Sequence, residues 1–272
     1  MFQRSRCIWL VALMSMASST QVLAEPEGNN TVPILGFMSG YNSCPSWYGD
    51  VHGTNMGIAA KRLLRRIKRE TKAPAVEYVV SCFPRSASKV RFVTSYDRGE
   101  YLYHGYVDHI VEEITTLARK HPDHKVYLAG HSYGGWLAMY VVTQLPSWVN
   151  VGVVATIDPI STVNCAPSTF VRSYLSSSFN LRPASGCTQA PTDLSQRYIA
   201  RRSGSWLNFY QAMYPLLHSG YIGHAHANEM YDYQTGYLEE FQAHVMIEED
   251  ARIWIRYNRE VVQDLRKTSN ME

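Results

Sequence analysis

The 272-residue sequence has little charge, few cysteines and no apolar run long enough to span a membrane. Only 18% of its residues are charged, and 26 Lys and Arg are nearly balanced by 23 Asp and Glu. It therefore lacks the basic excess of a dedicated nucleic-acid-binding protein. Its 46% hydrophobic content excludes a disordered chain, and no repeat or linker divides it. These absences leave a globular protein with a single core.

An apolar stretch of about ten residues lies near the N-terminus, at residues 8–17, and follows two arginines. As a helix it would reach about 15 Å, half the hydrocarbon core of a bilayer, so we expect no stable membrane span. The basic start, the short apolar centre and the small residues that follow predict a signal peptide over residues 1–24, cleaved after Ala24. An uncleaved or interfacial N-terminus is the alternative. Cleavage would leave one domain, residues 25–272, in a secreted or periplasmic protein.

The five cysteines also bear on the compartment in which the protein folds. Cys7 would leave with the signal peptide, and Cys44, Cys82, Cys165 and Cys187 would remain. Four cysteines in an oxidising compartment favour two disulfides, for which three connectivities exist. We favour Cys44–Cys82 and Cys165–Cys187, because each pair lies within one half of the chain. The chain has no CxxC motif, and its cysteine spacings fit no common structural zinc site.

Short β-rich runs alternate with longer amphipathic runs, which is typical of an α/β domain with a mainly parallel sheet flanked by helices. The predicted strands are 31–38, 75–83, 125–129, 151–157 and 205–212, and the predicted helices are 55–70, 102–120, 133–145 and 248–267. The stretch after Asp158 is rich in Ser, Pro and Cys and has no clear period. Long loops inside compact domains are usually functional, so we expect a small cap or lid insert at about 159–196.

The most informative motif is GHSYGG, residues 130–135. It follows an apolar strand and opens an apolar helix, as the tight turn that carries a nucleophilic serine requires. Small residues are needed at Gly130 and Gly134 because the backbones pass closely there. The helix N-terminus would direct its N–H groups and its positive dipole end at charge that develops beside Ser132. The alternative is a glycine-rich turn with an ordinary serine.

The motif and the order of elements over about residues 31–267 resemble the α/β-hydrolase superfamily, in its lipase/esterase-like branch. The resemblance implies a serine nucleophile followed along the chain by an acid and then a histidine. It also implies catalysis through an acyl-enzyme, without a metal or an organic cofactor.

For the acid, Asp158 is the leading candidate because it follows directly on the strand 151–157, at the edge of the sheet where ligands bind. Many members of the superfamily take the acid from the following strand. Glu229 and Asp232 are the candidates there. An Asp before Pro also commonly caps a turn, which is the structural alternative for Asp158.

For the base, four histidines follow the motif at a useful distance: His218, His224, His226 and His244. The resemblance favours His244, which we expect in a loop directly before the last helix. His224 and His226 could line one face of a strand and bind a metal, but no third ligand stands at a suitable spacing, so a surface or cleft role is favoured.

The resemblance also implies an oxyanion hole of two backbone N–H groups. One would come from Tyr133. The other would come from the loop after the first strand, where LGFMSG (35–40) leaves Phe37 or Met38 as the donor.

These inferences predict a secreted serine hydrolase that cleaves carboxylic esters, with a small-molecule or lipid ester as substrate. An acyltransferase, thioesterase or amidase would use the same three side chains. A non-catalytic binding module on the same fold is the alternative from another class. Oligomeric state is left open.

Overall fold

A computed structural model describes residues 31–40, 43–44, 51–71, 73–83, 89–102, 106–159, 192–211, 219–233 and 240–269. The predicted signal peptide, the Cys165–Cys187 pair, His218 and most of the expected cap lie outside these residues. Within them, no helix is both long and apolar enough to cross a bilayer.

The described residues form one sheet of eight strands in the order β4-β3-β2-β1-β5-β6-β7-β8. The strands are β1 Val32–Met38, β2 Glu77–Cys82, β3 Lys89–Thr94, β4 Arg98–Leu102, β5 His124–His131, β6 Val151–Ile157, β7 Ser203–Gln211 and β8 Ala227–Tyr231. Six strands are parallel, whereas β3 and β4 add an antiparallel hairpin to one edge. The α/β fold with a mainly parallel sheet is confirmed.

Helices cover both faces of this sheet. They are α1 Asn55–Glu70, α2 Tyr106–Lys120, α3 Tyr133–Gln144, α4 Asp193–Arg202, α5 Glu240–Glu249 and α6 Ala251–Ser269. One buried cluster joins α1 and α6 to the sheet, for example through Leu63 and Tyr257. A second cluster joins α2, α3 and α4 to the opposite face, through Ile114, Leu137 and Ile199. β1 and β6 are completely buried because helices cover both of their faces. Burial on both faces explains why these two strands are almost entirely apolar.

Some predicted boundaries were wrong, among them the start of the last helix, which was expected at residue 248 and lies at Ala251. The helix expected from residue 102 begins at Tyr106, because Arg98–Leu102 pairs with β3 as the edge strand β4. Helix α4 begins at Asp193, within the range of about 159–196 in which the sequence predicted an irregular cap segment. Thr192 caps that helix by accepting a hydrogen bond from the Ser195 N–H at 3.2 Å.

The predicted disulfide Cys44–Cys82 is present, with its Cα atoms 5.2 Å apart. It ties the loop after β1 to the end of β2. The Cys44 N–H also donates to the Phe83 carbonyl at 3.2 Å, so a covalent bond and a hydrogen bond hold this loop together.

Candidate active site

Ser132 lies in the turn between β5 and α3, with φ 56° and ψ −127°. A non-glycine residue in this region of backbone space costs about 1–3 kcal/mol, which the surrounding structure must offset. The Ser132 N–H donates to the Ile157 carbonyl at 2.9 Å, which fixes the turn against β6. Gly130 and Gly134 admit no side chain, because a Cβ at either would overlap backbone atoms. The strand–turn–helix setting that the motif requires is therefore present.

Asp158 follows β6 on the same edge of the sheet and is fully buried, with φ 41°. Its Oδ1 accepts the Ser219 N–H at 2.6 Å, and its Oδ2 accepts the Gln211 Nε2 at 3.2 Å. Oδ2 also accepts a hydrogen bond from His244 Nδ1 at 2.7 Å. Burial opposes ionisation, but the hydrogen bonds from His244 and Ser219 outweigh it and lower the pKa of Asp158. Asp158 is thus a buried carboxylate that binds the Nδ1 nitrogen of the His244 imidazole.

His244 lies inside α5, not in the loop in which the sequence had placed it. The sequence missed this helix because its buried residues include two polar side chains, His244 and Glu248, beside the apolar Ala243 and Ile247. The hydrogen bond to Asp158 keeps the His244 proton on Nδ1, so Nε2 is the acceptor nitrogen. Burial lowers the pKa of His244 and Asp158 partly restores it. The ring is thereby set up as a neutral base.

His131 connects this histidine to the serine turn. It directly precedes Ser132, and its ring centroid lies 4.6 Å from that of His244. Its Nε2–H donates to the His244 carbonyl at 2.8 Å. Its Nδ1 lies 3.1 Å from Glu248 Oε2, one turn further along α5. These contacts hold the Asp158–His244 pair against His131, the residue that precedes Ser132.

The residue beside Ser132 on the β1 side is Gly40. A Cβ at Gly40 would lie 2.7 Å from the Ser132 Cβ and 3.2 Å from its Oγ. The expected donors Phe37 and Met38 lie within β1. They pair with Ala129 and Gly130 of β5, which precede Ser132 in the chain. The Ser39 N–H donates to Ser81 on β2 at 3.1 Å.

Tyr133 is the first residue of α3, so its backbone N–H lies at the positive end of that helix, next to Ser132. Its side chain is buried against Phe83, with the ring centroids 5.2 Å apart. This contact anchors the first turn of the helix behind the serine.

The other candidates from the sequence make contacts outside this arrangement or are exposed to solvent. Glu229 pairs with Arg256 at 3.0 Å, and Asp232 is exposed. His224 Nε2 lies 2.5 Å from Asp193 Oδ1, while His226 Nδ1 accepts the Trp206 N–H at 2.8 Å. In the part of the chain that the structure describes, no group of three metal-ligating side chains occurs.

Sequence reasoning missed several residues of this arrangement: His131, Glu248, Gln211, Ser219 and Gly40. His131 is in the motif itself, and Glu248 stands four residues after His244, so both were visible as residue types. What the sequence lacked was the helix that places Glu248 and His244 on neighbouring turns, facing His131.

A family model, described as the alpha/beta hydrolase family, matches residues 44–267 of this chain. No curated protein sequence matches it. Among solved structures, the chain is similar to an esterase from Pyrococcus furiosus, at 10% identity over 89% of this chain and 83% of that one, with a TM-score of 0.43. It is also similar to a serine hydrolase without a lid from Xanthomonas campestris, at 13% identity over 91% and 85% of the two chains, with a TM-score of 0.37. The match to the family model covers most of the sequence, and the chain belongs to the alpha/beta hydrolase family.

Proposed function

We propose that the protein is an exported serine hydrolase that cleaves carboxylic esters through Ser132, His244 and Asp158. The hydrogen bond between His244 Nδ1 and Asp158 Oδ2, 2.7 Å long and buried at the turn that carries Ser132, is the observation that supports it most. A buried carboxylate that orients a neutral imidazole beside a strained serine is the arrangement that acyl transfer needs.

In the proposed reaction, His244 Nε2 removes the Ser132 proton as Oγ attacks the acyl carbonyl. Asp158 keeps the imidazole in the reactive tautomer and stabilises the imidazolium that forms. The imidazolium then protonates the leaving alcohol, which departs and leaves an acyl-enzyme. Water, activated by the same histidine, releases the acid and restores Ser132.

We propose that the Tyr133 and Gly40 N–H groups stabilise the tetrahedral oxyanion. Tyr133 contributes from the first turn of α3, where the helix dipole favours negative charge. The close approach of Gly40 to Ser132 favours Gly40 over Phe37 or Met38, which pair with Ala129 and Gly130 of β5. Each such donor contributes roughly 3–4 kcal/mol to transition-state stabilisation in comparable sites.

The proposal for the compartment rests on the residues that precede the domain and on the cysteines. The basic start and apolar stretch of residues 1–24 fit an export signal. The disulfide between Cys44 and Cys82 fits an oxidising compartment.

A fluorophosphonate probe tests the proposal directly. We expect covalent labelling of the folded protein at Ser132, located by peptide mass spectrometry, and no labelling of Ser132→Ala. A folded protein that fails to react would refute the enzyme assignment. Esters of rising acyl chain length, measured beside matched amides and thioesters, then test the substrate class. We expect the highest kcat/KM with an ester, and a higher value with an amide or a thioester would contradict the proposal.

A further inference from the structure

We propose that His131 is a permanently protonated, buried positioning residue, paired with Glu248, that fixes the His244 turn of α5 against the serine turn and keeps His244 neutral at rest. The role in catalysis rests on the proposed function. The charge state of His131 does not, and it can be measured separately.

The hydrogen-bond partners of His131 require a proton on each ring nitrogen. Nε2 faces the His244 carbonyl, which only accepts, so this nitrogen must donate. Nδ1 faces Glu248 Oε2 at 3.1 Å, and an ionised carboxylate also only accepts. With Glu248 ionised, the ring is therefore an imidazolium.

The surroundings favour the charged pair over a neutral one. Burial disfavours the charge on His131, but Glu248, with help from Asp158, outweighs it and raises its pKa. Burial likewise disfavours the Glu248 carboxylate, but His131 and the Asn55 amide lower its pKa. Asn55 Nδ2 reaches Glu248 Oε2 from α1 at 3.5 Å. Among the described residues Glu248 Oε1 has no hydrogen-bond partner, so the ion pair with His131 is the main compensation for burying this carboxylate.

His124, on the same strand, provides a natural contrast. It is also buried. Its Nδ1 lies 2.8 Å from the His121 carbonyl, whereas its Nε2 accepts the Asn150 N–H at 3.2 Å. One nitrogen donates and the other accepts, which is the pattern of a neutral imidazole. The two ends of β5 therefore hold histidines with different hydrogen-bond patterns.

Three groups surround the His131 cation: Glu248 and His244 from α5, and Asp158 from the end of β6. His244 is the one whose ring lies against it, with the centroids 4.6 Å apart. A second positive charge on His244 would be repelled, so the neutral base is favoured. The hydrogen bond from His131 to the His244 carbonyl holds the backbone of the same residue in place. One side chain thus contributes both to the position and to the neutral state of the base, together with burial and Asp158.

Nitrogen-15 NMR of the histidine side chains of the full protein tests the charge state. We expect His131, assigned by its absence in His131→Gln, to show two protonated nitrogens between about pH 6 and 8. His124 should show the neutral pattern. A neutral His131 at pH 7 would overturn the proposal. This readout is independent of catalysis, since failure of the proposed function would appear as absent labelling at Ser132.

Kinetics test the effect on His244. In His131→Gln the acid limb of kcat/KM should move up by about one pH unit. We also expect kcat to fall about tenfold or more, while KM changes less than about twofold. His124→Gln is the matched control and should keep the wild-type profile. If His131→Gln does not fold, Glu248→Gln should move the limb in the same direction, by less. An unmoved limb in a folded variant would overturn the proposal.

Discussion

Gly40 lies directly against Ser132: a Cβ atom at position 40 would stand 2.7 Å from the Ser132 Cβ and 3.2 Å from its Oγ. No real Cβ tolerates the shorter of these separations. A side chain at position 40 would therefore force Ser132 or the backbone at Gly40 to shift.

Gly40→Ala should lower kcat/KM by roughly a hundredfold or more, because the methyl group displaces Ser132 and the oxyanion donor together. Ester hydrolysis and circular dichroism would be measured on the same preparation. Gly223→Ala is the matched control, since a Cβ there meets nothing within 4 Å. Near wild-type activity in folded Gly40→Ala would remove Gly40 from the proposed site.

Asp158→Asn should lower kcat by about a thousandfold or more, because the amide cannot hold the reactive His244 tautomer. Asn tolerates a positive φ, so the fold should be retained. The residual rate of ester hydrolysis would be measured under single-turnover conditions, with enzyme in excess over substrate. Glu229→Gln and Asp232→Asn serve as controls and should remain active. If Asp158→Asn keeps its rate, the acid lies elsewhere.

The activity should depend on a base that titrates below the usual range of histidine. Burial and the neighbouring His131 cation lower the pKa of His244, despite Asp158. Because only neutral His244 accepts the serine proton, activity is lost as pH falls through that pKa. We expect the acid limb of kcat/KM, measured with a non-ionising ester, to have its midpoint below about pH 6.5. A midpoint at pH 7 or above, in protein that remains folded, would contradict this.

Replacing Cys44 and Cys82 together by Ala should lower the free energy of unfolding by about 3–4 kcal/mol, the loop-closure value for cysteines 38 residues apart. Urea unfolding followed by tryptophan fluorescence measures it. The corresponding Cys165→Ala/Cys187→Ala variant shows whether a loss is specific to the first pair. An unchanged urea midpoint in the Cys44/Cys82 variant would mean that the disulfide adds nothing to stability.

The elements that the sequence predicted most accurately are those whose pattern of buried residues fits only one kind of secondary structure. β6 is covered on both faces, so nearly all its residues are apolar, and the predicted strand has the observed bounds Val151–Ile157. α1 also matches, Asn55–Glu70, because its apolar residues occupy one face and Thr54 caps it by accepting the Gly57 N–H at 2.9 Å.

The edge strands of the sheet and the helix α5 were not predicted. β4 and β8 carry charged or polar residues, since an edge strand is only partly covered. For the candidate site, the serine turn was readable because it is local. The contacts of His131 with His244 and Glu248 join segments far apart in the chain. The residue pattern alone does not show which distant segments come into contact.

The disulfide has a consequence beyond stability. It anchors Cys44, four residues after Gly40, so the placement of the proposed oxyanion donor Gly40 is linked to a bond that reducing agents break. In a reducing compartment, hydrogen bonds with Phe83 would hold Ser43 and Cys44 in place of the covalent bond. With Gly40 as the proposed donor, the redox state of the surroundings would therefore affect the rate of the proposed hydrolysis.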